Sequence, residues 1–179
     1  LALFSDGTVQ GWGSNSHGQL VGTVGTNRLT PAVITGLTGT TRISAGNTHS
    51  LALKSDGSVR AWGNNANGRL GDGTTTNRSA PVLLSGISNV ATLVAGGEHS
   101  TAVKTDGTVW TWGNNANGQL GDGTTTQRLS PIQISGLSGG LTMLAGYSHS
   151  AVLSVDRTIK VWGLNTSGQL GDGSTTQRT

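Results

Sequence analysis

The chain has 179 residues and a formal net charge of +3, and charged residues make up only 11% of it. So sparse a charge excludes the dense Lys/Arg stripe that nucleic-acid binding needs, and no apolar run is long enough to cross a bilayer as a helix. The absence of cysteine excludes disulfides, thiol catalysis and Cys-based zinc sites together.

Thirty glycines, in a chain rich in Thr, Ser and Asn, favour strands joined by tight turns over long helices. The elements recur with a fixed period. Trp12, Trp62, Trp112 and Trp162 are spaced 50 residues apart, as are Arg28, Arg78, Arg128 and Arg178. Pro31, Pro81 and Pro131 keep the same step, and so do His49, His99 and His149. The array therefore divides into repeats 1–50, 51–100 and 101–150 and a partial fourth, 151–179. An array cut within a repeat is expected to be part of a longer protein, or to be completed by another chain, a second copy included.

The second repeat shows the elements in order. Leu51-Ala52-Leu53-Lys54 alternates and reads as a strand. Ser55-Asp56-Gly57-Ser58 reads as an Asp-Gly hairpin with both central residues at positive φ. Val59-Arg60-Ala61-Trp62 pairs back, and Gly63-Asn64-Asn65-Ala66-Asn67-Gly68 is a loop. Pro81-Val82-Leu83-Leu84 reads as an edge strand led by proline, and Thr92-Leu93-Val94-Ala95 as a fourth strand. Four strands in 50 residues is the size of a propeller blade. Ala45-Gly46, Ala95-Gly96 and Ala145-Gly146 mark close approach of neighbouring blades, and the repeated tryptophan is expected in the core between them. Repeat four has Asp156-Arg157 in place of Asp-Gly, so a different turn type is expected there, since a side chain at positive φ costs about 1 kcal/mol or more.

The string Ala95-Gly96-x-x-His99-Ser100-x-Ala102-x-x-x-Asp106-Gly107-x-Val109-x-x-Trp112-Gly113-x-Asn115-x-x-Gly118-Gln119-Leu120-Gly121 resembles the repeat of the RCC1 (regulator of chromosome condensation) family. The resemblance runs end to end. It implies an all-β fold of four-stranded antiparallel blades, here an incomplete β-propeller of about three and a half blades against the seven of the family. Family members include a guanine-nucleotide exchange factor, ligase-associated domains and bacterial secreted repeat proteins, so function has to be argued from sites.

Candidate chemistry is thin. Three histidines in register are better explained as fold residues bonded to a neighbouring backbone group than as metal ligands. Asp72, Asp122 and Asp172 each precede an arginine by six residues, which fits an Asp-Arg contact or a capped turn rather than a calcium loop. No Gly-x-Ser-x-Gly elbow, paired carboxylates or phosphate cradle is present. The expectation is a non-enzymatic protein with no cofactor and no metal site. Exchange-factor activity, which would need an inserted wedge, is disfavoured by the strict spacing.

What remains is recognition. The positions that differ between repeats lie between Ala-Gly and His-Ser: Asn47-Thr48, Gly97-Glu98 and Tyr147-Ser148. Tyr147 is the expected anchor, with Glu98 and Asn47 flanking it on neighbouring blades. Trp110, in a second variable position beside Trp112, is an alternative anchor or a cover for its blade. The expected partner is a protein or a cell-surface polymer, and the expected setting extracellular and bacterial. A purely structural spacer is the alternative.

Overall fold

The structure, a computed structural model, describes residues 1–179. It is built of fourteen strands in four antiparallel sheets, with no helix. The first sheet holds β1 (Ala2–Leu3), β2 (Val9–Gly13) and β3 (Arg28–Val33). The second holds β4 (Thr40–Ala45), β5 (His49–Lys54), β6 (Val59–Gly63) and β7 (Arg78–Leu83). The third repeats it with β8 (Val90–Ala95), β9 (His99–Lys104), β10 (Val109–Gly113) and β11 (Arg128–Gln133). The fourth holds β12 (Gly140–Ala145), β13 (His149–Ser154) and β14 (Ile159–Gly163), extended by a bridge between Gly163 and Arg178. Each four-stranded sheet is a meander, so the chain is an all-β array of propeller blades, as the period implies.

The strands are longer than local pattern suggests. The edge strand β7 starts at Arg78, so Pro81 sits within it. Its missing N–H is tolerated because nothing pairs on that side.

The core lies between sheets, not within them. One cluster joins Leu51 and Val59 of the second sheet, with Leu70 and Leu84 of its connecting loops, to Leu93, Ala102 and Trp112 of the third. Two others join Trp62 to Val9 of the first sheet and to Ile34 just after it, and Trp162 to Val109 of the third and to Ile134 just after it. Each buried tryptophan is thus the plug of one junction, and an isolated repeat would leave it in water.

Two expectations about turns are corrected. The Lys54–Ser58 hairpin is not a turn with two residues at positive φ: only Gly57 is there, at +77°. Gly57 N–H donates to Lys54 O and Lys54 N–H to Ser58 O, the pattern of a three-residue loop ending in a left-handed residue. Asp56 instead accepts from the Ser58 amide and hydroxyl at 2.9 and 2.6 Å. Repeat four keeps the same turn, with Arg157 at φ 66°. The Asp156 bonds to Thr158 at 3.0 and 2.7 Å hold it there against the strain of the side chain.

Candidate binding face

The first strands of the last three sheets, β4, β8 and β12, pack side by side. The loops that follow them therefore converge at one end of the array. Ala-Gly opens each loop because nothing larger fits: a Cβ on Gly46 would strike the His49 ring and the Gly96 carbonyl, and one on Gly96 the His99 ring and the Gly146 carbonyl. The result is a shallow depression of about 300 Å³ lined by Asn47, Gly97 and Tyr147 on a floor of alanine and glycine.

The six loop residues divide by position. Asn47 and Tyr147 are exposed, Tyr147 by 58%. Gly97 is buried because the Tyr147 ring lies over it, where a Cβ would come within 2.6 Å of Cδ2. The Gly97 amide also donates to Gly146 O at 3.1 Å, which ties the two loops together. The second residue of each loop turns away from the depression. Ser148 is buried, and the Thr48 hydroxyl accepts from the Arg69 guanidinium at 3.0 Å.

Glu98 does not flank Tyr147 as a free loop tip. Its Oε1 lies 3.5 Å from Arg69 Nη2, and its Oε2 accepts from Asn114 at 2.7 Å and Asn67 at 3.5 Å. Burial pulls the Arg69 guanidinium below its ordinary value, and the charge of Glu98 opposes this. The sequence did hold a signal of this pair. Arg69 stands where the other repeats have Gln19, Gln119 and Gln169, and Glu98 stands where they have Thr48 and Ser148. Both departures fall on the same junction.

Trp110 is elsewhere. Its indole N–H donates to Thr108 Oγ1 at 3.0 Å, beside the hairpin at the opposite end, and Lys104 Nζ lies 5.4 Å from its ring. It packs half-buried against the largest core cluster, so the structure does not bring it to the Tyr147 face.

The histidines behind the depression serve the junctions. His49 Nε2 lies 2.9 Å from Ser100 Oγ and His99 Nε2 lies 2.8 Å from Ser150 Oγ, each across to the next sheet. The partner is a serine hydroxyl and not the backbone group expected from sequence. Ser100 donates its one proton to Arg69 O and Ser150 donates to Gln119 O, both at 2.8 Å, so the imidazole Nε2–H must be the donor. Burial lowers His49 to about 3 and His99 to about 4, leaving both neutral. The repeated aspartates hold the loop bases. Asp72 takes Thr74 and Asn65 on Oδ1 and Arg78 on Oδ2. Burial opposes its ionisation, yet these bonds together keep its carboxyl below the usual range. In repeat one the carbonyl of Val21 takes the place of the missing carboxylate, accepting from Arg28 and Asn15.

The depression thus offers an amide, a phenol and backbone groups, which suits hydrogen bonding and stacking against a partner surface.

Comparison with known proteins agrees with this architecture. The regulator of chromosome condensation (RCC1) repeat model matches residues 6–53, 56–103 and 106–153, and a second RCC1 repeat model matches 41–69, 90–119 and 145–169. No curated protein sequence matches the chain. Among solved structures, human WBSCR16 superposes with a TM-score of 0.88 at 26% identity, over 98% of this chain and 48% of that one. Yeast RCC1 (Prp20), solved bound to Kap60, superposes at 0.86 and 21% identity, over 98% of this chain and 44% of that one. Prp20p from Saccharomyces cerevisiae, described with its binding properties to Gsp1p and histones, gives 0.85 and 22%, over 98% and 45%. This chain spans about half the length of these relatives. With three repeats matched in register and the blades superposed, the chain belongs to the RCC1 repeat family.

Proposed function

We propose that this chain is a non-enzymatic recognition module that grips a protein partner, or a surface polymer, with the loops around Asn47, Gly97 and Tyr147. The observation that supports it is the exposed phenol of Tyr147, seated on Gly97 and fixed by the bond between Gly97 and Gly146 O. A large aromatic held rigid beside a concave floor loses little entropy on binding. That the yeast relative was solved bound to Kap60 and examined with Gsp1p and histones favours a protein. An extracellular bacterial setting, read from the resemblance to secreted repeat proteins, belongs to the same proposal.

Glu98 has a supporting part here, since it holds the loop through Arg69 and the asparagines. The test is a pull-down with the intact chain, followed by titration of the captured partner. Tyr147→Ala and Asn47→Ala should each weaken binding by about 1–2 kcal/mol. Full affinity in the folded double variant would refute this face, and a chain that captures nothing would favour the spacer reading.

A further inference from the structure

Between the second and third sheets, at the hairpin end, lies a cleft of about 370 Å³. Arg42 and Lys54 of the second sheet, Ser55 and Asp56 of its hairpin, and Asn89 and Thr105 beside the third sheet line it. Both walls are complete four-stranded blades, so the cleft belongs to the interior of the array. The Val90 amide donates to Gly57 O at 3.1 Å, which ties the hairpin of one sheet to the other. The Thr105 amide donates to Asn89 O at 2.8 Å, which fixes Asn89 in place.

Two residues of this cleft depart from the repeat. Arg42 stands where the later repeats have Thr92 and Thr142. Asn89 stands where the others have Gly39 and Gly139, and it holds their left-handed conformation, at φ 55° against 69° for both glycines. Asparagine bears that conformation better than most residues, but glycine bears it without strain. The sister repeats show that the fold needs no side chain there, so the strain points to something the Asn89 amide touches. Lys54 is also left free. Its counterpart Lys104 lies 3.9 Å from the Asp106 carboxylate and 5.4 Å from the Trp110 ring. In the second repeat Arg60 replaces that ring, and neither Arg42 nor Lys54 enters an ion pair.

We infer that this cleft binds a carboxylate side chain of an acidic peptide segment, with Arg42 as the fork, Lys54 as the second cation and Asn89 bonded to the adjoining backbone. A guanidinium presents parallel N–H groups matched to the two oxygens of a carboxylate. The Asp56 carboxylate on the same cleft tells against phosphate, whose extra charge it would repel. No aromatic side chain lines the cleft for a sugar ring to stack on, which favours a peptide over an acidic polysaccharide. The site lies at the opposite end of the blades from the Tyr147 loops and goes beyond the recognition proposed for them.

Fluorescence anisotropy of a labelled oligoglutamate peptide titrated with the intact chain tests this, at physiological ionic strength, where exposed charges beyond about 8 Å are screened. Arg42→Thr and Asn89→Gly install residues that the sister repeats already carry, and both positions are exposed, so the variants keep the fold. The wild type should bind oligoglutamate saturably and oligoglutamine not at all. Arg42→Thr should weaken binding about tenfold or more and Asn89→Gly about threefold, as the loss of a charge-assisted and of a neutral hydrogen bond predicts. Arg157→Gly removes the same charge outside the cleft and should leave the affinity unchanged. Absence of saturable binding, full affinity in Arg42→Thr or Asn89→Gly, an equal loss in Arg157→Gly, or tighter binding of an oligogalacturonate overturns the inference. Tyr147→Ala should leave oligoglutamate binding unchanged, so failure here is distinct from failure of the loop face.

Discussion

His49 and Ser100 face each other across the second junction, 2.9 Å apart, with the serine proton committed to Arg69 O at 2.8 Å. The imidazole proton therefore has one acceptor, and it belongs to the next sheet. Ser100→Ala strands that buried donor and frees the Arg69 carbonyl. A loss of about 1–3 kcal/mol in urea unfolding is expected. Ser50→Ala, at the first junction, removes only the bond to Gln19 O and should cost less.

The same histidines set a pH dependence. Their folded values, about 3 and about 4, lie below the ordinary 6.5, so the unfolded chain binds protons first as pH falls. Stability is fully present above about pH 6.5. It should fall by up to ~1.4 kcal/mol per pH unit per histidine on the way to pH 4. The carboxyls of Asp72 and Asp122, also held low in the folded state, add to the loss below about pH 4. A His49→Gln, His99→Gln variant should show a flatter stability profile between pH 6.5 and 4.5 in chemical denaturation.

Arg157 holds a left-handed conformation at φ 66° where the matching hairpins have glycine. Its side chain is exposed, so Arg157→Gly relieves strain at no cost in packing and should stabilise by about 1 kcal/mol. Val21, at φ 64°, differs because it packs against the cluster around Trp62. Val21→Gly should gain little or lose. Paired thermal melts separate the two.

Arg69 and Glu98 form a matched departure from the repeat. The Arg69 side chain is 4% exposed, so Glu98→Ala leaves a nearly buried guanidinium without its carboxylate. Partial exposure of the Glu98 side chain reduces the penalty, and a loss of about 1–3 kcal/mol is expected. The double change Arg69→Gln, Glu98→Ser restores the pair found as Gln119 and Ser148 at the next junction. The restored glutamine can clip its loop as Gln119 does by accepting from the Asn117 amide at 2.8 Å. Stability near wild type in the double variant, against a clear loss in Glu98→Ala, is the expected cycle.

What the sequence determined by itself is what recurs within a few residues or within one period. The 50-residue step set the number of blades, and the tryptophan recurring in register once per repeat set the plug between them. Asp72 and Arg78, six residues apart, announced their contact because a turn of that length brings them together. Tertiary structure decided everything that depends on how one sheet lies against the next. Ser100 is 51 residues from His49, and no local rule names a hydroxyl as its partner. Glu98 and Tyr147 occupy neighbouring positions of equivalent loops, yet packing draws one to Arg69 and leaves the other over Gly97 in water. Arg157 keeps the glycine conformation because Asp156 and the flanking strands over-determine the turn, and an intrinsic preference of about 1 kcal/mol is too small to reverse that.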